Sequence, residues 1–492
     1  MSSLPYTLYR AAQVREFDRI AIEECSIPGA TLMQRAGAAA FDVLRARWPK
    51  ARSVAVACGE GNNGGDGFVL ARLAHEAGLQ TRVLQVGDAA CLRGDALAAH
   101  QALTHNGVCV VPFNAEALRG CDVIVDALFG TGLDRAVSGA WRAAIEAINH
   151  AATPVLALDI PSGLHADTGR VLGAAVRATA TVSFIALKQG MFTGLGPDHC
   201  GAVVFNDLDV PADIFTRAQP SALRLDLTHA PTLAPRSRAA HKGDYGRVLV
   251  IGGDHGMAGA ARLAAEAAAR VGAGLVIIAT RAAHAPGLIS TRPELLCRGV
   301  ESAAQLAPLL HEASVIAVGP GLGCGAWASE LLTAVLEMRT PLVIDADALN
   351  LVALDPRKRD DWVLTPHPGE AARLLGCSAA DVQADRFQAV REIQRRYGGV
   401  AVLKGAGTLI CNGAEPIAVC SAGNPGMASA GMGDVLTGVI AGLRAQGVAA
   451  SAAAPLGVCL HATAGDLAAR EGERGLLAGD LMPHLRRLVN CR

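Results

Sequence analysis

The chain has 492 residues with 44 Lys+Arg against 45 Asp+Glu, a net charge of -1, and this lack of a basic excess argues against binding to nucleic acid or a membrane surface. With 51% hydrophobic and only 18% charged residues it is too apolar to be disordered, yet no apolar run reaches the roughly 18 residues that span a bilayer. At about 150 residues per domain the length predicts two to four domains, and aromatics at 4% leave Ala, Val, Leu and Ile to build the cores, which suits helices on a parallel sheet.

Along the chain, helices are expected over Ala11 to Glu24 and Thr31 to Arg47, the second opened by Pro28 and Gly29. Short buried strands are then predicted at Ser53 to Cys58, Thr81 to Val86, Val108 to Val111, Asp122 to Leu128 and Pro154 to Ile160. Helical spacing at Phe68 to Ala77 and Arg93 to His105 completes the βαβ rhythm of a doubly wound domain. A second series runs through Arg247 to Ile251, Leu275 to Ala279, Ala313 to Val318, Pro341 to Ile344, Trp362 to Leu364 and Val400 to Leu403. Between the series, the segment 211–240 holds four prolines with weak periodicity and reads as a linker, giving two α/β domains, 1–218 and 225–492. The N-terminus mixes Arg10, Arg15, Glu16 and Asp18 and has neither a signal-peptide apolar region nor the acid-free pattern of a transit peptide. The 13 cysteines form no CxxC pair and read as small hydrophobes in a reducing cytoplasm.

Three strand ends of the first domain carry matching chemistry. Ser53 to Cys58 runs into GEGNNGGDG, where Gly59, Gly61 and Gly64 satisfy GxGxxG, a turn whose backbone N–H groups can hold a pyrophosphate. FGTGLDRA, Phe129 to Ala136, and PSGLHADTG, Pro161 to Gly169, follow the fourth and fifth strands. Taken singly, each is equally a glycine-rich turn with an Asp cap. Together they can meet over one crevice, toward which Asp126 and Asp159 point carboxylates, and Asn63 and Ser162 add hard oxygen donors.

In the second domain, small residues at Gly259, Ala260, Ala261, Ala264 and Ala265 let a helix lie close to the sheet or to a ligand, and GPGLG, Gly319 to Gly323, follows a strand. VLKGAGT, Val402 to Thr408, places Lys404 and backbone amides where a nucleotide phosphate could lie. NPGMASAGMGDVLTG, Asn424 to Gly438, gives a glycine-rich turn, the acid Asp434 and a helix start, apt for phosphoryl transfer but without the GxxxxGK[ST] of a Walker loop.

GEGNNGGDG, the DALFGTGL segment from Asp126, LDIPSGL and TVSFIALKQG resemble the NAD(P)H-hydrate epimerase family over most of residues 10–210. HKGDYG, GPGLG, TPHPGE, KGAGT and AGMGDVLTG resemble the NAD(P)H-hydrate dehydratase branch of the ribokinase-like superfamily over residues 236–492. The resemblance implies a Rossmann-like domain followed by a ribokinase-like α/β domain. It implies a bifunctional repair enzyme that epimerises the R and S forms of NADHX and NADPHX and dehydrates the S form, using ADP or alternatively ATP. Carried over residue by residue, Asn62, Asn63, Gly64, Gly65 and Asp66, with Gly130, Thr131, Gly132, Leu133, Asp134, Arg135 and Ala136, line the first hydrate site, where Asp159 sits at the reacting ring. Potassium is expected on Asn63, Asp126 and Ser162. In the second domain Ala260, Gly323, His367 and Asp434 contact the hydrate, and Lys404, Gly405, Ala406, Gly407 and Thr408 with Gly433 bind the nucleotide, accompanied by Mg2+. Asp159 and Asp434 are the expected catalytic residues, Lys188 is either a source of pocket charge or a structural ion-pair partner, and a homo-oligomer is expected. The rival readings are a ribokinase-like small-molecule kinase with a cofactor-binding appendage, and a non-enzymatic nucleotide sensor.

Overall fold

The computed structural model describes residues 4–490, and the chain divides into two compact units between Leu223 and Arg224. The first opens with a short strand, β1 (Thr7–Tyr9), and the helices Ala11–Glu23 and Gly29–Arg47. Its main sheet contains β2 (Ser53–Cys58), β3 (Gln80–Gln85), β4 (Val110–Pro112), β5 (Val123–Ala127), β6 (Val155–Leu158) and β7 (Ala180–Phe184); the two-residue β8 (Leu187–Lys188) pairs with β1, and β9 (Ala202–Asn206) returns to the main sheet. The order is β4-β3-β2-β5-β6-β7-β9, all parallel, so the winding reverses between β2 and β5. Both faces are covered. Along β2, Val54, Val56 and Cys58 enter one apolar core while Ala55 and Ala57 enter the other, the period-2 alternation of a doubly buried strand.

The predicted linker is in part folded structure. Pro211 opens a short 3-10 segment, Ala212–Arg217, and Ala222–Leu225 forms β10, antiparallel to β1 with Leu8 opposite Ala222. The prolines hid this because Pro fits the start of a helical turn, where its missing N–H has no acceptor to lose.

In the second unit β11 (Arg247–Ile251), β12 (Leu275–Thr280), β13 (Leu296–Gly299), β14 (Val315–Val318), β15 (Leu342–Ile344), β16 (Trp362–Leu364) and β17 (Val400–Leu403) are parallel in the order β13-β12-β11-β14-β15-β16-β17. Antiparallel β18 (Thr408–Cys411) and β19 (Ile417–Cys420) extend it. The helices Ala258–Arg270 and Met432–Ala445 pack backbone to backbone: a Cβ on Gly438 would lie 1.9 Å from the carbonyl oxygen of Ala264. That close approach explains the Gly- and Ala-rich helices of this half and fixes where the 431–434 turn projects. Among the described residues no helix is long and apolar enough to cross a membrane.

Candidate active sites

The glycine motif of the first unit is mostly helix. The helix expected from Phe68 begins at Asn62 and runs to Glu76, so NNGGDG forms its opening turns directly above the reversal between β2 and β5. Gly64 is compelled by contact: a Cβ there would sit 2.2 Å from the carbonyl oxygen of Gly59. Gly64→Ala should therefore destabilise the first unit by about 3 kcal/mol or more, at or above the usual overpacking range, measured as an earlier unfolding transition of that unit.

Above this helix start lies a cavity of 1040 Å³. Asn62, Asn63, Asp66, the whole stretch Gly130 to Ala136 and Asp159 line it, with Asp18 from the N-terminal helix. Gly64 and Gly65 do not; Gly65 is packed against Met33. The other residues expected at the hydrate thus line one cavity, while Gly64 and Gly65 are packed against Gly59 and Met33.

Asp159 follows β6 in a left-handed conformation, φ +65°, and Ile185, φ +61°, follows β7. A β-branched residue with positive φ costs on the order of 1–3 kcal/mol, and such strain concentrates at functional sites. Asp159 forms an ion pair with Lys188, which is fully buried and also donates to Ser183 Oγ (3.1 Å) and the Phe184 carbonyl (3.1 Å). All three ammonium protons thereby have acceptors. Lys188 is thus a structural partner that also sets a positive charge against the Asp159 carboxylate in the cavity wall. Burial and the facing charge of Asp159 push Asp18 up to about 6, and the same two effects raise Asp66 well above the usual carboxylate range.

Below the cavity floor, Asp126 and Ser162 are fully buried and joined: Ser162 donates through Oγ to Oδ1 (2.6 Å) and through its backbone N–H to Oδ2 (2.8 Å). Burial pushes Asp126 up to about 6 despite these bonds. Ser162 Oγ also accepts from the Phe129 N–H (2.8 Å). Asn63 is buried with both side-chain amide atoms lacking hydrogen-bond partners among the described residues, beside Gly130 and Asp159. Orphaned buried amides are rare and costly, so these atoms fit an absent ligand.

The second unit gathers its chemistry at the ends of β15 to β17. Asp345, 1% exposed, accepts from Lys404 Nζ (2.7 Å) and Thr437 Oγ1 (2.7 Å), and Lys404 also lies 3.7 Å from Glu370. Burial opposes the charge on Lys404, yet Asp345 and Glu370 hold its ammonium above the ordinary value. A Cβ on Gly433 would lie 3.3 Å from this ammonium, placing the first turn of helix Met432–Ala445 beside it. The first-turn amides lack intrahelical acceptors and face the same region. Asp434 is pushed up to about 6, first by burial and then by Asp345.

His367 caps helix Pro368–Leu375: Nδ1 accepts from the Gly369 N–H (2.9 Å), while Nε2 is 3.2 Å from Glu370. Burial and Lys404 lower its pKa, favouring the neutral ring. Gly323 donates to Asp347 (2.8 Å), and a Cβ on it would lie 3.1 Å from Asp254; Ala260 packs beside Gly321. The turn after Lys404 is held by Arg386, 1% exposed, whose guanidinium donates to the carbonyls of Leu403 (3.3 Å) and Lys404 (3.2 Å). Thr408 Oγ1 closes the turn onto the Gly405 carbonyl (2.9 Å).

Sequence reasoning missed Asp18, Asp345, Glu370 and Arg386. Asp345 had a usable signal, an acid directly after an apolar strand. Arg386 had none, because an arginine within a polar helix reads as surface until the fold buries it.

Comparisons with known proteins follow this division. Residues 29–190 match the model for the YjeF-related protein N-terminus, and residues 248–487 match that for NAD(P)H-hydrate dehydratase. The bifunctional NAD(P)H-hydrate repair enzyme of Coxiella burnetii is 52% identical over 98% of this chain and 99% of its own length. Its Escherichia coli counterpart is 44% identical over 99% and 95%. A solved ribokinase-like superfamily protein from Enterococcus faecalis is 30% identical with a TM-score of 0.50, covering 55% of this chain and 95% of its own. With two acid-bearing sites on two units, and relatives matched from end to end, the chain belongs to the family of bifunctional NAD(P)H-hydrate repair enzymes.

Proposed function

We propose that the first unit interconverts the R and S epimers of NADHX and NADPHX and that the second dehydrates the S form with ADP, releasing the reduced cofactor, AMP and phosphate. The observation that carries this is the presence, in one chain matched along its whole length, of a carboxylate–lysine pair in a large cavity and a separate acid at a glycine-rich helix start. C6 of the hydrate is a carbinolamine carbon, so inversion needs only reversible loss of its hydroxyl, eased by Asp159 as acid–base group. In the second unit Asp434 takes the C6 hydroxyl proton as that oxygen attacks the terminal phosphorus. The amides of the helix start receive the developing phosphoryl charge, and phosphate then leaves, pushed by the ring-nitrogen lone pair.

Asn63, Asp126 and Ser162 would hold potassium, which supplies positive charge for the anionic hydrate beneath the cavity. Mg2+ would accompany the nucleotide phosphates as their counter-ion. A cytoplasmic setting fits the 13 cysteines, which are scattered along the sequence with no CxxC pair.

One experiment tests the reading: the purified chain is given an R/S hydrate mixture with ADP or ATP, with and without potassium. The expected result is full recovery of reduced cofactor, matched by AMP and phosphate when ADP is used. Omitting potassium should slow consumption of the R form alone. A stable phosphorylated product without recovery of the dihydronicotinamide would establish the kinase reading instead, and saturable binding without turnover the sensor reading.

A further inference from the structure

We propose that Asp18 is a second catalytic acid–base residue of the epimerase cavity, handling the proton of the C6 hydroxyl on the ring face opposite the one served by Asp159. This rests on the epimerase reading of the first unit. Inversion by loss and return of a hydroxyl means that oxygen leaves from one face of C6 and re-enters at the other, so a group that moves protons is needed on each face.

Asp18 lines the same cavity as Asp159 but reaches it from a different element, the N-terminal helix. On helix Ala11–Glu23 it stands one turn from Val14 and one from Ile22, and all three line the cavity. The neighbouring acids lie elsewhere: Glu16 and Glu23 of this helix, with Glu24 just after it, surround Arg19 on the exposed face. Among the described residues the Asp18 carboxylate has neither a hydrogen bond nor an ion pair, yet it is close enough to Asp159 and Lys188 to feel both charges. A half-buried carboxyl without a partner, facing the cavity, is free to take one from a substrate. A substrate hydroxyl would be that partner. Its raised pKa of about 6, caused by burial and by Asp159, lets one group both give and take a proton near neutrality.

The step balances without a co-reactant. Asp18 gives its proton to the C6 oxygen, the C6–O bond breaks with its electron pair leaving on water, and the ring-nitrogen lone pair forms the N–C6 double bond. Water adds at the other face, its lone pair making the new C6–O bond as the nitrogen recovers its own. The released proton goes to Asp159. Exchange of protons with water in the cavity resets the pair, and the reverse inversion runs with the roles exchanged.

The test follows R/S interconversion in the full-length chain without nucleotide, comparing wild type with Asp18→Asn, Asp18→Glu and Asp159→Asn; thermal unfolding checks the fold. Asp18→Asn should lower kcat by about 10²-fold with KM within about threefold, and Asp18→Glu should restore about tenfold of the loss. In heavy-oxygen water the wild-type enzyme should introduce solvent oxygen at C6 at each inversion, a readout that needs no variant. Wild-type kcat in Asp18→Asn with an inactive Asp159→Asn overturns this proposal alone. Wild-type kcat in both variants overturns the role of Asp159 as well. Equal losses in Asn and Glu with a raised KM, or inversion with the original oxygen retained, also overturn it.

Discussion

Asp434→Asn is expected to lower nucleotide-dependent recovery of the reduced nicotinamide from the S hydrate by about 10²–10⁴-fold, the range for loss of a positioned acid–base group, while leaving R/S interconversion at the wild-type rate. Asparagine preserves the shape of the side chain and the first turn of helix Met432–Ala445 but cannot take the hydroxyl proton. The pH dependence adds an independent check. Burial and Asp345 raise the Asp434 carboxyl to about 6, and the ionised form is the active one. Dehydration should therefore be full above that value and fall about tenfold per unit as pH drops below it. Single-turnover rates across that range check both expectations. Undiminished dehydration by the Asn variant would remove Asp434 from the chemistry.

Lys188→Met should disable the first unit twice over. It removes a fully buried ammonium with three acceptors and leaves Asp159, only 15% exposed, without its cation. Breaking one side of a buried pair costs about 3–5 kcal/mol, because the stranded charge keeps its desolvation penalty. Unfolding of the first unit should move to lower temperature and epimerisation should be lost, while nucleotide-dependent use of the S hydrate persists. Adding Asp159→Leu should restore much of the stability, since a matched apolar pair replaces the ions, yet no epimerisation. Calorimetry alongside both assays measures this, and an unchanged unfolding profile in the single variant would show that the pair does not stabilise the fold.

The two variants fall on sites of unequal legibility. Around Asp434, residue order along the chain already assembles the turn, because glycines, the acid and the helix start are consecutive. Around Asp159, the partners come from a strand end, a later two-residue strand and a helix near the N-terminus. Strand positions were readable for a related reason. Fully buried parallel strands are short apolar runs, so Ser53–Cys58, Arg247–Ile251, Trp362–Leu364 and Val400–Leu403 stand out within their own segments. Edge and partner-dependent elements did not: β1, β8 and β10 are two to four residues long and exist through pairing with one another. The helix starting at Asn62 was misplaced because glycine is a poor helix former in isolation, whereas here the Gly59 carbonyl and the Met33 side chain leave no room for a Cβ.

By itself the sequence determined the two α/β units, the strand-end glycine motifs and the family, and it singled out Asp159 and Asp434 as the candidate acids. Each of these is written in contiguous residues, where spacing and residue type carry the chemistry. The tertiary structure decided which polar groups are buried and what faces them: Lys188 under Asp159, Asp345 and Glu370 on Lys404, Arg386 pinning the turn after it, and Asp18 open to the cavity. Burial and pairing across long sequence separations set the charge state and proton affinity of a carboxylate, and neither exists until the chain has folded.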